Sequence, residues 1–261
     1  NAIAVLDLSS GEFTNVYSLG YKDLSLESNA VDLLDDGVYG VKTYTHTVGA
    51  YMPDGISVYS ANGKTYILTA NEGDSREWVD EDTQTKYVNE KKEKLVATDG
   101  TEAKKIRVVD AEVVDGTPVG KDVLFGARSF SIFEVTENGL ILLFDSANDF
   151  EKLTAKYLPE YFNVSNDDNE VDSRSQKKGP EPEAVVVGQV DGKSYAFVGL
   201  ERIGGIMVYD ITDTADVNFV NYINTRNFLE DPDQLGEGLS YLTGDVAPEG
   251  MYFIGADVSP S

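Results

Sequence analysis

Apolar and polar positions alternate in short runs along most of this chain. Ala2 to Leu8 alternates, turns over Ser9-Ser10-Gly11-Glu12, and returns as Phe13 to Leu19. That pattern predicts a β-hairpin. Residues 22–52 are less regular and read as a long connection. From Pro53 the pattern sharpens. PDGISVYSANGKTYILTANE, ending at Glu72, and PEAVVVGQVDGKSYAFVGLE, from Pro182 to Glu201, align without a gap at a constant offset of 129 residues. Each is strand, Asn-Gly or Asp-Gly turn, strand, and those dipeptides favour two-residue hairpin turns.

The repeat runs on. Ser129 to Val135, a turn at Glu137-Asn138-Gly139, and Leu140 to Asp145 follow the first copy; Gly205 to Ile211 and Val217 to Ile223 follow the second. Each unit therefore predicts four antiparallel strands in meander order, and four-stranded units in tandem are the pattern of a β-propeller. The expected fold class is all-β, with propeller-type blades forming an incomplete part of a seven-bladed ring. The whole chain, 1–261, reads as one such region. Residues 1–21 end one blade, 53–145 form a blade interrupted by a charged insertion at 73–127, 182–224 form a second, and 248–261 open a further one at Pro248-Glu249-Gly250. That inventory does not close a ring. It predicts a fragment of a longer protein, or completion by a second chain. The competing expectation is extra sheet from residues 22–52 and 84–124, where Val38-Tyr39-Gly40-Val41 and Ile106-Arg107-Val108-Val109 are strand-like.

Composition narrows the function classes. The formal net charge of −25 disfavours nucleic acid and anionic lipid, whose phosphates need clustered Lys and Arg. It suits divalent cations, basic partners or a saline medium. With no cysteine there is neither a disulfide framework nor a thiolate metal site. No apolar run reaches membrane-spanning length. The chain begins inside a strand, which predicts that any leader was removed or never included.

The repeat also nominates chemistry. Asp54 and Glu72 occupy the same positions as Glu183 and Glu201, at the ends of the paired hairpins. In a propeller such residues ring a channel mouth. Converging carboxylates raise one another's pKa, and a hard cation such as Ca²⁺ relieves this. The alternative is that they accept backbone N–H bonds or pair with arginine. Arg76, Arg128, Arg174 and Arg202 carry the complementary choice, between knitting the sheets together and clamping an anionic ligand such as a phosphate or a uronic acid. His46 is the only histidine, too few for a His-rich zinc site. Asn163-Val164-Ser165 fits a glycosylation sequon.

Several words resemble a known family. They are Tyr51-Met52-Pro53-Asp54-Gly55, Thr69-Ala70-Asn71-Glu72-Gly73-Asp74-Ser75-Arg76 and Phe125-Gly126-Ala127-Arg128-Ser129-Phe130-Ser131-Ile132. Further on come Asp172-Ser173-Arg174-Ser175, Lys178-Gly179-Pro180-Glu181-Pro182-Glu183 and Gly199-Leu200-Glu201-Arg202-Ile203-Gly204-Gly205. In these the chain resembles a bacterial family of extracellular propellers, the choice-of-anchor I domain or mesenchyme-specific cell surface glycoprotein family, some of whose members carry an alkaline-phosphatase label. The resemblance implies a seven-bladed-type propeller, secreted or held at the cell surface, without an established reaction. The chain departs from the family in lacking N-terminal blades and the end of the last one. Two functions follow as expectations. One is a secreted or cell-surface module that binds a protein, a polysaccharide or a small anionic ligand, with calcium as the cofactor. The other is a metal-dependent phosphoesterase.

Overall fold

The computed structural model describes residues 1–256; the last part of the expected 248–261 strand, residues 257–261, lies outside the described residues. The chain opens with the predicted hairpin, β1 (Ala2–Asp7) and β2 (Glu12–Ser18), then β3 (Tyr21–Asp23) and β4 (Thr47–Ala50). β5 (Ile56–Ala61) and β6 (Lys64–Ala70) form the first repeated hairpin. The 73–127 segment supplies β7 (Glu77–Val79), β8 (Lys86–Val88), β9 (Glu90–Val96), β10 (Glu102–Val109) and β11 (Asp122–Leu124). β12 (Phe130–Thr136) and β13 (Gly139–Asp145) lead into the helix α1 (Asp149–Tyr157). β14 (Pro182–Val190), β15 (Lys193–Leu200), β16 (Ile206–Asp210) and β17 (Asn218–Ile223) complete the strands. The protein is all-β, with several antiparallel sheets and, among the described residues, one α-helix.

Two four-stranded antiparallel sheets dominate, β5-β6-β12-β13 and β14-β15-β16-β17, each in sequential meander order. The repeat extends to the register: Val58 faces Ile67 in the first hairpin and Val187 faces Ala196 in the second, at the same 129-residue offset. The sheets meet through β5 and β14. Gly55 N donates to Glu183 O at 2.8 Å, and a Cβ on Gly55 would lie 2.6 Å from that oxygen, so only glycine permits the approach. Leu68, Phe130, Ile132, Val198, Leu200 and Met207 are fully buried between the sheets, with Phe150 of α1 among them. A fully buried side chain of this size contributes about 1.5–3 kcal/mol relative to exposure.

A five-stranded sheet, β3-β4-β11-β10-β9, answers the competing expectation of extra sheet. Its core is Leu24, Leu33, Tyr44, Leu95, Ile106 and Val108. Ile106–Val109 do form strand, as β10, whereas Val38–Val41 do not; near them the backbone makes one isolated bridge, Val31 to Lys42. β10 keeps Ala103, Ile106 and Val108 on its inner face despite irregular spacing, because a register shift falls between Ala103 and Ile106, with Lys105 at φ 61°. The 73–127 segment is thus structural, folding back to pair β11 in parallel with β4.

Residues 248–255 carry no ladder pairing among the described residues. They nevertheless lie on the second sheet: Phe253 stacks on Phe197 at 5.6 Å between centroids, and a Cβ on Gly199 would sit 3.2 Å from Pro248 O.

Candidate functional site

The site lies where β5, β6, β14 and β15 end. Asp54 immediately precedes Gly55, which is docked on the backbone of β14, so Asp54 is delivered beside Glu183. Glu72 is positioned by Asn71. The buried Asn71 amide donates to Ser131 Oγ at 2.8 Å, and Asn71 O accepts from the Ala127 and Arg128 amides. Glu201 follows β15, and its amide donates to Glu181 O at 2.8 Å.

Oxygen atoms of Asp54, Glu72 and Glu183 all lie within 4.8 Å of one another, and so do those of Glu72, Glu181 and Glu201. All four carboxylates expected from the repeat therefore come together, with Glu72 shared between the two groups. Glu249, which repeats the acidic position in Pro248-Glu249-Gly250, is exposed and stands outside both groups.

Glu181 has no place in the repeat, yet it is the centre of the charge arrangement. Its side chain is fully buried. Arg174 and Lys178 ion-pair with it, Lys178 Nζ at 3.0 Å from Oε2, and Arg202 Nε stands 3.1 Å from the same oxygen. Burial alone would push its pKa up; Lys178, Arg174 and Arg202 outweigh that and hold it near 2. Its backbone sits at φ 51° between Pro180 and Pro182, a conformation that persists only when surroundings impose it. Lys178 also pairs with Glu72 and lies 3.6 Å from Asp74. Arg202 Nη1 reaches Glu201 at 2.9 Å and Asn166 Oδ1 at 2.7 Å.

On the other side Asp54 and Glu183 have no cation within ion-pair distance among the described residues, and Glu72 and Glu201 share theirs with Glu181. Burial pushes Glu183 up to about 8, reinforced by its hydrogen bond with Asp54 and the charges of Glu72 and Asp54. Burial lifts Glu72 to about 7, with Lys178 opposing and Glu181 adding. Glu201 is raised by burial, with Arg202 opposing. Near neutral pH this half of the site shares protons, and oxygen donors of this kind suit a hard cation.

The predicted arginines divide. Arg174 and Arg202 line a cleft of about 250 Å³ together with Lys178, Lys177, Arg107 and Phe125. Arg128 does not face it. It is 4% exposed, and its guanidinium donates to Asp32 O at 2.8 Å, Glu151 at 2.6 Å, Ser175 O at 2.8 Å and Lys177 O at 3.1 Å. Those bonds pin the main chain that carries Arg174, Lys177 and Lys178. Arg76 is exposed beside a separate open hollow with Trp78 and Tyr87. The Asn163 sequon is internal: Asn163 is fully buried and its amide donates to Ser175 Oγ at 2.7 Å, so it offers no site for a glycan.

Lys178 and Glu181 escape a repeat argument because their counterparts 129 residues earlier are Gly49 and Met52. Such an argument selects what recurs. The available signal was the acid enclosed by two prolines within Lys178-Gly179-Pro180-Glu181-Pro182.

A family profile described as the choice-of-anchor I domain matches residues 1–214. The chain is also 34% identical over 100 residues to a protein named mesenchyme-specific cell surface glycoprotein from Strongylocentrotus purpuratus. That match takes in 34% of this chain and 13% of the sea urchin protein, so the chain spans only a small part of that relative's length.

Proposed function

The chain belongs to the choice-of-anchor I domain family, and we propose on that basis that it acts as a secreted or cell-surface binding module with a cation-dependent site at the ends of its repeated hairpins. In this reading residues 53–145 and 182–224 are neighbouring propeller-type blades. Asp54, Glu72, Glu183 and Glu201 hold a calcium ion, and the adjoining cleft receives the ligand. The observation that carries the reading is the convergence of two repeat-related acid pairs onto one place, where β5 and β14 dock and where a buried Glu181 gathers three cationic side chains. A scaffold needing only satisfied turns would not require carboxyls held at about 7 and about 8 beside a strained, buried acid. The name of the sea urchin relative puts that protein at a cell surface, which supports the same location here.

The test is to probe an array of glycans and peptides with the labelled chain, once in millimolar Ca²⁺ and once in chelator. Binding that requires Ca²⁺ and is lost in Arg202→Ala supports the reading. No binding in either condition would overturn it.

A further inference from the structure

We infer that the cleft beside the carboxylates is a receptor for a single oxyanion group carried on a small, ring-sized body, such as an acidic sugar or a sugar phosphate. This rests on the binding-module reading and names the ligand class of that site.

Five cationic side chains, Arg107, Arg174, Lys177, Lys178 and Arg202, line this cleft with Asp74 and Glu90; Glu90 pairs with Arg107, and Glu72, Glu181 and Glu201 pair with Lys178, Arg174 and Arg202, which leaves Lys177 without a counter-charge among the described residues. Arg174 donates through Nε and Nη2 to Glu181, whereas Arg202 donates through Nη1 to Asn166 and lies within ion-pair distance of Glu181 and Glu201, its Nε making no hydrogen bond. One terminal nitrogen of each guanidinium is left without a partner among the described residues. The Lys177 ammonium likewise has no carboxylate within ion-pair distance among the described residues, and its pKa is lowered by burial and by the neighbouring charges of Arg174 and Arg107. An anion at the cleft would relieve that repulsion and take up the free donors, and planar guanidinium forks suit carboxylate and phosphate oxygens.

The cleft is held in shape by buried side chains. Arg128, itself buried, donates to the main-chain oxygens of Ser175 and Lys177 and so holds the loop that presents Arg174, Lys177 and Lys178. Glu181 in turn locks the inner two arginines and Lys178 in place. The cations are preorganised, which lowers the ordering cost of binding. Size supplies the last limit. A volume of about 250 Å³ falls just below the range of drug-sized pockets, about 300–1,000 Å³, and so admits a ring rather than an extended chain.

Calorimetric titration of the full chain with glucose 6-phosphate, glucuronate and glucose tests this. The two acidic sugars are expected to bind at least about tenfold more tightly than glucose, and their affinity to fall as salt rises from about 50 to about 500 mM. The two acids separate a phosphate from a carboxylate ligand. Lys177→Glu, on an exposed side chain, is expected to weaken the acid by about tenfold or more, whereas Lys156→Glu on α1, with the same change in net charge, leaves it unchanged. Arg107→Gln gives a second, milder loss should Lys177→Glu lower the melting temperature. Glucose binding as tightly as the acids, or equal behaviour of the two charge reversals, would overturn the oxyanion inference while leaving the binding module intact. Failure of all three sugars would also overturn it, and the glycan and peptide array then decides the module separately.

Discussion

Gly73 and Gly126 back directly onto each other: a Cβ on Gly73 would overlap the Gly126 backbone and stand 2.6 Å from the Phe125 carbonyl carbon, and one on Gly126 would stand 2.6 Å from the carbonyl carbon of Glu72. Both have positive φ, 73° and 79°. This is the neck at which the 73–127 segment leaves the first sheet and returns to it, and it lies against Glu72. The glycines therefore tie a structural excursion to the geometry of the site.

Gly126→Ala is expected to destabilise the protein by at least about 2 kcal/mol, from strain and overlap together. Gly63→Ala is the control: Gly63 also has positive φ, 75°, but a Cβ there would meet nothing within 4 Å. Urea denaturation of both variants separates the two effects. Equal losses would show that φ alone, and not the close approach, governs the neck.

Stability should depend on pH in a direction set by the site. Glu183 and Glu72 have folded pKa values raised from the ordinary 4.5 to about 8 and about 7. A raised carboxyl contributes stability that is fully present below 4.5 and is lost as pH rises through its folded value. Between pH 5 and 8 these two groups therefore make the melting temperature fall. Glu181, held near 2, acts oppositely: its contribution is present above 4.5 and is lost only as pH drops toward 2. Glu183→Gln should flatten the slope between pH 5 and 8. An unchanged slope in that variant would remove Glu183 as its source.

Calcium should reverse that fall if the carboxylates hold it. A cation competes with the protons, so the gain in melting temperature from millimolar Ca²⁺ is expected to be larger at pH 8 than at pH 6. Binding at about 100 times the dissociation constant corresponds to about 2.7 kcal/mol. The double variant Asp54→Asn with Glu183→Gln should abolish the gain. Identical melting temperatures in Ca²⁺ and in chelator at pH 8 would count against the metal site.

Arg128 and Arg76 should separate cleanly. Arg128 and Glu151 form a buried pair at 2.6 Å, with side chains 4% and 1% exposed. Removing one partner of such a pair costs about 3–5 kcal/mol. Arg128→Ala should therefore lower stability by that order, whereas Arg76→Ala, on an exposed side chain, should stay within about 0.5 kcal/mol of the parent. Chemical denaturation of each reads this directly.

Much of the fold was legible in the sequence because strands leave a local signature. Alternation and Asn-Gly or Asp-Gly turns located the hairpins β5–β6 and β14–β15, and the 129-residue repeat carried even their register. The same repeat picked out Asp54, Glu72, Glu183 and Glu201, since equivalent positions in equivalent hairpins arrive at equivalent ends. What it could not supply was anything dependent on contacts between segments far apart in the chain. Ile106–Val109 and Val38–Val41 look alike as sequence, but only the first finds a strand partner, because ladder pairing is a property of two segments and not one. Arg128 and Arg174 sit in similar words, yet one is sealed against Asp32 and Glu151 while the other faces the cleft. Burial, which makes a guanidinium a strut or a ligand, is conferred by the residues packed around it. Glu181 lies outside the repeat, and the word around it, Lys178 to Glu183, does not by itself reveal a role; it becomes the anchor of three cations only when β14, β15 and the loop ahead of them close upon one point. Short-range backbone preference was enough to set the strands, their repeat and the acids at their ends. Which of the charges lose their water, and therefore which interact strongly, follows only from how distant segments pack.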